Sequence, residues 1–456
     1  MIKTHPVPMP KESDPYLQAF ATFEREALDK APSWEFPIRK AALARFADLG
    51  FPTLQQEDWR FTNVSAIAHL PFKPVLQPSG ALTANALTNL TWAKLPAHRI
   101  VFVNGHFAPH LSVLPKLATE VHISPLSHAL AAEPHLLQNQ LARYVRPDDN
   151  PFVALNTAFF RDGALIRVPA GKQVSSPIHI IYFSDPAEPG QFTNCRNLVV
   201  VEKGAGATIL ETDAGKHGAS YVSNCVTEVV LGERAVLEFS KFQDESLDAF
   251  HLSALHAQLA RGCNFVFHSF AAGAKIARNN IKTVLAGEGI ECVLNGLYLA
   301  KGDQIHDHFM IVEHAQPHCN SHEYFNGILD DESRGVFHGR ILVRPDAQKT
   351  DAKQTNKNLL LSDGATANTK PQLEIYADDV KCTHGATIGQ LNDESIFYLR
   401  ARGIGLDTAR RMLIHAFASE ITERIRHEPA REELDAVIWD RLEQNPRIGH
   451  HRPPHV

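Results

Sequence analysis

The run LVVVEKGAGATILETDAGKHGASYVSNCVTEVVLGERAVLEF, residues 198–239, decides the fold class. It opens on Leu198-Val199-Val200-Val201, closes on Val236-Leu237-Glu238-Phe239, and carries Gly204 and Gly232 between them. Short β-branched and apolar runs interrupted by glycine read as strands and turns. The same texture appears upstream in Ile100-Val101-Phe102-Val103 and in Ile178-His179-Ile180-Ile181-Tyr182-Phe183. Turn signals recur at Gly171, Gly204, Gly232, Gly262, Gly287, Gly302, Gly335 and Gly364, with most intervals near thirty residues. Self-similarity at that period marks a stack whose units bury their faces against their neighbours. We read an irregular β-solenoid. A β-sandwich also shows short strands with turns between them, so spacing alone leaves it open.

Helices flank this β body. Residues 15–29 carry Leu17, Phe20, Ala21 and Phe23, and residues 37–49 carry Ile38, Ala42, Phe46 and Leu49, both near a helical period, with Gly50 and Pro52 as stop signals. Helix returns at Asp407, a candidate N-cap, with Ala409, Leu413, Phe417, Ile421 and Ile425 in steps of four and Pro429 as its end. A short helix with Leu434, Ile438 and Leu442 on one face follows, and His450 to His455 reads as a frayed tail. The layout is an N-terminal helical domain over 1–95, a β core over 96–398 and a C-terminal helical domain over 399–456.

Composition sets the class. The 456 residues carry a net charge of −6, so there is no basic excess to hold a nucleic-acid backbone. Hydrophobic residues at 44% and charged residues at 21% suit a globular chain. No apolar run approaches the roughly 20 residues of a membrane span. Pro6, Pro8 and Pro10 leave no apolar signal segment behind Met1, which points to the cytoplasm. Six cysteines stand singly at 195, 225, 263, 292, 319 and 382, without a C-x-x-C pair, which argues against a disulfide framework. Neither a P-loop, nor a G-x-S-x-G elbow, nor H-E-x-x-H occurs, and Gly215-Lys216 is followed by His217. Any ATP-driven step therefore needs a partner that binds the nucleotide.

Two constellations could carry chemistry. His306, His308, His314, His318 and His322 lie with Cys319 in seventeen residues, a supply of imidazole and thiolate for zinc or iron. In a strand, however, His306 and His308 share one face while Asp307 takes the other. With 25 histidines in the chain, we read these as solvated or hydrogen-bonded strand residues. The second runs from Lys370 to Thr387. Leu373, Ile375 and Ala377 alternate with Gln372, Glu374 and Tyr376 as a half-exposed strand, which enters a turn at Ala377-Asp378-Asp379. Cys382 and His384, two apart, share a face if the strand resumes, and could bind iron or accept sulfur; the plainer alternative is a buried thiol and a core histidine. Asp378 and Asp379 are either an acid/base pair or solvated turn residues.

The stretches 349–361, 368–387 and 396–404 closely resemble the SufB/SufD family of the SUF iron-sulfur cluster assembly system, and SufD-like members in particular. Weaker echoes lie in Glu57-Asp58-Trp59-Arg60-Phe61-Thr62, Val312-Glu313-His314, Pro317 to Ser321 and Gly335 to Arg340, so the likeness spans about 45–425. It implies a right-handed parallel β-helix between helical domains, and a scaffold subunit that works with a SufB-like paralogue and a SufC-like ABC ATPase. SufB-like members carry a cysteine tied to sulfur handling in the stretch matching Gln354-Thr355-Asn356-Lys357; Asn356 stands here, which favours the SufD type. By the same resemblance His384, accompanied by Cys382, matches a histidine at the paralogue interface where a nascent cluster forms, with no cofactor held stably. The resemblance further implies that residues 407–428, with Arg410, Arg411, Arg424 and Arg426, dock the ATPase. The alternative for this helix is a cap on the open end of the solenoid.

Strand edges near residue 380 could pair with the paralogue or, in the isolated protein, with a second copy. The competing function is a carbohydrate-active β-helix enzyme using acids such as Asp378 and Asp379, although adjacent acids on a strand face opposite ways. Lacking a phosphate-cradling loop, the purified chain is expected neither to bind ATP tightly nor to hydrolyse it; micromolar binding by calorimetry would contradict this.

Overall fold

From Ala164–Val168 onward, successive strands in this chain do not pair with each other. Gln191–Val201 pairs in parallel with Tyr221–Leu231, two strands on, and Gly206–Gly215 pairs likewise with Val236–Asp244. The rule continues to Thr366–Ile375 and Lys381–Gly389, so two ten-stranded sheets grow side by side. Parallel pairing from one turn to the next makes this a β-solenoid and excludes the sandwich. The computed structural model describes residues 15–27, 32–78, 82–114, 121–148 and 150–443. From Ala164–Val168 to Lys381–Gly389 the strands form eight two-strand turns. Strands of one sheet begin at 221, 250, 276, 305, 334 and 366, steps of 26 to 32 residues, which is the period that the glycines announced.

Glycine makes the tight corners. Gly204, Gly262 and Gly302 sit at φ of 65°, 67° and 60°, where a Cβ would be strained. Gly335 is different from the reading above. It lies inside strand Arg334–Val343, where a Cβ would come within 2.8 Å of the Tyr298 ring, so its role is to leave room for a large inward side chain.

The lumen is largely apolar, with Ile209, Phe239, Phe265, Phe267, Leu294, Met310 and Phe337 stacked turn upon turn. A charged cluster interrupts it. Lys241 Nζ lies 2.6 Å from Glu211 Oε1 and 2.6 Å from Asp213 Oδ2, all three buried. Burial opposes the ammonium charge, but Asp213 and Glu211 outweigh it and raise the Lys241 pKa.

Each sheet's outer face is covered by a terminal segment. Helices Pro15–Ala27 and Glu35–Leu49 set Phe20, Phe23 and Phe46 on Phe192, Val222 and Phe250 of one sheet, hereafter the N-covered sheet. Helix Pro151–Phe159 and the loop before it are held there by Arg196 and Glu228, both fully buried and 2.7 Å apart. Arg196 donates to Thr157 Oγ1, and Glu228 accepts from the backbone N–H groups of Ala142, Arg143 and Tyr144. A second clasp joins Arg278, Asp307 and Thr62, with Arg278 stacked 3.7 Å over the Trp59 ring.

Helices Leu406–Thr422 and Glu428–Glu443 cover the other sheet, laying Ile414, Ala418, Ile421, Leu434 and Ile438 on Leu210, Phe242, Phe270, Leu297 and Ile328. They therefore lie along the flank of the stack and not over its end, because their apolar stripe finds its partners on the outer sheet face. Their bounds also differ from expectation. Gly405 is the N-cap, with Asp407 in the first turn, and Pro429 opens the last helix where it was expected to close the one before. The tail expected to fray, and Met1 to Pro10, lie outside the described residues. Among the described residues no helix is long and apolar enough to cross a membrane.

Removing Lys241 would leave two buried carboxylates facing each other. Lys241→Met is expected to lower stability by about 3–5 kcal/mol, whereas Lys203→Ala, at an exposed pair with Glu233, should leave the urea midpoint nearly unchanged. Equal shifts of the two midpoints would contradict this.

Candidate functional site

The last turn of the stack has a neighbour below and none above. Strand Lys381–Gly389 pairs with Asp351–Leu360 on one side, and among the described residues no strand pairs with its other edge. The turn Tyr376–Val380 leads into it and is fixed to the turn beneath by Lys349 N–H to Asp379 O at 2.7 Å and Lys381 N–H to Thr350 O at 2.8 Å. The strand thus resumes after Asp378-Asp379, and Cys382 and His384 share its inward parity. Cys382 stands on Ala352 and packs among Ile341, Val343 and Ala347; partial burial pushes its thiol pKa up. His384 stands on Gln354 and is exposed. Apolar side chains share this end, with Tyr376 62% and Ile388 50% exposed.

Beneath His384 the same inward column continues. Gln354 is in register with Glu323, and its Nε2 donates to Glu323 Oε2 at 2.7 Å. Both are buried, and burial raises the Glu323 carboxyl to about 8. Asp378 and Asp379 sit on the exposed turn, Asp379 paired with Lys349. They do not line the cleft of about 910 Å³ between the N-terminal segment and the N-covered sheet, where the acids are Glu57, Asp58 and Asp148. The adjacent pair is therefore not an acid and base set across a groove.

With a two-sheet solenoid and an uncovered, thiol- and imidazole-bearing end in view, the comparisons with known proteins become decisive. The SufBD core domain of the SUF FeS cluster assembly system matches residues 183–417, and the SufBD N-terminal region matches 11–180. The chain belongs to the SufBD family. Iron-sulfur cluster assembly protein SufD of Escherichia coli is 31% identical over 437 residues, covering 95% of this chain and 98% of that protein. An iron-sulfur cluster assembly SufBD family protein of Synechocystis is 33% identical, with 85% and 86% covered, and SufD of Bacillus subtilis is 23% identical, with 93% and 96% covered. This SufBD protein is accordingly of the SufD type, with a role in iron-sulfur cluster assembly.

In this SufBD chain the histidine-rich stretch 306–322 is dispersed over the stack and brought to no common point. His306 and His308 face the lumen, bonded to Gly273 O at 3.0 Å and Ser269 Oγ at 3.3 Å, while Asp307 faces outward to Arg278. His314 Nε2 meets Ser321 Oγ at 2.8 Å, and Cys319 Sγ lies 3.1 Å from Gly287 O. Among the described residues no three His, Cys, Asp or Glu side chains are grouped to hold a metal. Reasoning from sequence passed over Glu323 and Gln354. The signal was available in the turn period, because 323, 354 and 384 are one turn apart on the same face.

Burial lowers His306 and His314 to about 4 and His308 to about 3, below the ~6.5 of an exposed imidazole. The unfolded chain therefore binds more protons in this window, and the stability these groups contribute is present above about pH 6.5 and lost as pH falls toward 4. His308→Gln should reduce the fall in unfolding free energy between pH 6.5 and 4.5, by up to about 1.4 kcal/mol per pH unit. Parallel urea-midpoint curves for variant and wild type would contradict it.

Proposed function

We propose that this chain is a non-catalytic scaffold subunit that pairs through its last turn with a SufB-like paralogue and presents Cys382 and His384 to an iron-sulfur cluster forming between them. The observation that carries the reading is the uncovered end. A parallel strand with one edge unpaired is a template for a further strand, and exposed Tyr376 and Ile388 add apolar surface for the partner to bury. The cluster is the complex's product, and it has to leave. Two ligands on one face of an edge strand cannot close a four-ligand site alone, which suits a site shared between chains and later vacated.

The same proposal gives the ATPase a place to dock. Helix Asp393–Ala401 has no buried residue, and Phe397 and Tyr398 are 74% and 58% exposed. Leu406 and Met412 lie exposed just beyond them. An ABC-type partner burying this patch would supply the nucleotide chemistry for which the chain has no loop. Deleting residues 405–456 is a poor test, since it would strip Phe242, Phe270 and Leu297 of their cover.

Co-expressed with both partners, Phe397→Ser/Tyr398→Ser is expected to lose ATPase capture while keeping the paralogue. His384→Ala should keep both partners but lower iron and acid-labile sulfide severalfold, with Cys382→Ser less affected. Wild-type cluster content in the His384→Ala complex would rule the site out. Loss of the complex would assign His384 to the partner contact.

A further inference from the structure

The column beneath His384 is built in a way that the lumen's packing alone does not require. Gln354 is 1% exposed and Glu323 fully buried, beside Leu294, Phe325 and Phe337 of the apolar core and next to the buried amides of Asn356 and Asn358, which bond to each other and to Tyr298. Opposite them stands Gly339, where a Cβ would come within 2.3 Å of Gln354 Nε2. Strand Arg334–Val343 has thus given up a side chain to make room for the amide. That amide is oriented from below: Nε2 donates to Glu323 Oε2, which leaves Oε1 as the free acceptor. Gln354 Oε1 is buried and has no hydrogen-bond partner among the described residues. A buried carbonyl without a donor costs roughly 1–3 kcal/mol, so it persists where something else uses it.

What lies one turn above is His384, in register with Gln354 on the same inward parity. In the free chain the imidazole is exposed and makes no hydrogen bond among the described residues. A partner seated on the end would exclude water from the imidazole. The imidazole N–H would then need an acceptor, and Gln354, the residue in register with His384, has a buried Oε1 without a donor. A histidine that binds metal through one ring nitrogen commonly donates from the other, which fixes its tautomer and its direction. Glu323, raised to about 8 by burial, is neutral at pH 7, so the column needs no counter-ion in the apolar lumen.

We infer that Glu323 and Gln354 are a positioning pair for His384: Glu323 orients the Gln354 amide, and Gln354 Oε1 accepts the imidazole N–H in the assembled complex, so that the other ring nitrogen points out toward the partner. This rests on the reading of His384 as an interface ligand. It adds two residues that never touch the cluster.

The test has a structural and a functional arm, both on the complete complex. In a crystal structure of the assembled complex, a His384 ring nitrogen should lie within about 3.2 Å of Gln354 Oε1; a separation beyond about 4 Å would overturn the inference. The functional arm is a double-mutant cycle with iron and acid-labile sulfide as readout. Gln354→Met keeps the volume and removes the acceptor, and should lower cluster content severalfold; Gln354→Glu restores an acceptor and should recover much of it. In the His384→Ala background Gln354→Met should have no further effect, as expected when one residue acts through another. Reduced content in His384→Ala with wild-type content in Gln354→Met sinks the positioning pair and spares the site. Wild-type content in His384→Ala sinks the site itself, whatever the crystal distance shows.

Discussion

In a stack of parallel turns every backbone N–H and C=O along a strand is satisfied by the turns above and below, so the last turn at each end is always left with one unsatisfied edge. This constraint governs the rest of the molecule. At the N-terminal end the chain turns back on itself: His98–Val103 pairs in antiparallel fashion with His106–Phe107, and Ala164–Val168 with His122–Pro125. Helices Leu126–Ala132 and Pro134–Leu137 add Leu126, Leu130 and Leu137 to a small core there with Leu165 and Leu198. Among the described residues nothing comparable covers Lys381–Gly389. The chain runs on from that strand into helices that lie along the flank. An asymmetry of this kind, one end closed by the chain's own antiparallel strands and the other left open, is a property of the fold before any ligand is considered.

The stack also imposes a period on chemistry. Residues about one turn apart on the same face lie directly above one another, so a buried polar group in the lumen can be satisfied by its neighbour in the column. Lys241 with Glu211 is one such column and Gln354 with Glu323 another, while on the outer face Arg196 reaches Glu228 diagonally, two residues out of register. Glycines mark where space has been yielded to a large side chain: Gly296 lies beside Phe325 and Gly327 beside Tyr298 on the neighbouring strand of the same sheet, and Gly339 faces Gln354 from the opposing sheet. Each would bring a Cβ within 2.5 Å of that partner. These positions are tied to side chains far away in sequence.

That separation explains what could be read in advance. Helical periodicity is local, so Glu35–Leu49 and Leu406–Thr422 were legible, and strand runs with glycine at turn spacing gave the solenoid. The parity of Cys382 and His384 followed from alternation alone. What lay hidden depended on pairing. Gly335 looks like the other turn glycines until Tyr298 is known to lie across from it. The direction of the C-terminal helices is set by Leu210, Phe242 and Phe270, whose outward facing is not marked by their own strands. The His306 to His322 run is dense in sequence, yet His306, His308 and His314 spread along the lumen face of one strand while His318 sits in the exposed turn and His322 on the next strand.

Position along the stack finally separates the cysteines. Cys195, Cys225, Cys263, Cys292 and Cys319 are buried, and burial is the leading cause that raises each thiol's pKa, to about 12 for Cys263. A neutral thiol in apolar surroundings packs as a small hydrophobe and is a poor ligand. Cys382 differs only in standing on the last turn, where one side of its surroundings is missing and its burial is partial. Its environment is therefore completed by whatever covers the end, and so is that of His384. A cationic partner surface would lower the thiol's pKa, whereas an apolar one would hold the thiol neutral. The interior turns hold their chemistry fixed; the open turn leaves the surroundings of Cys382 and His384 to whatever covers it.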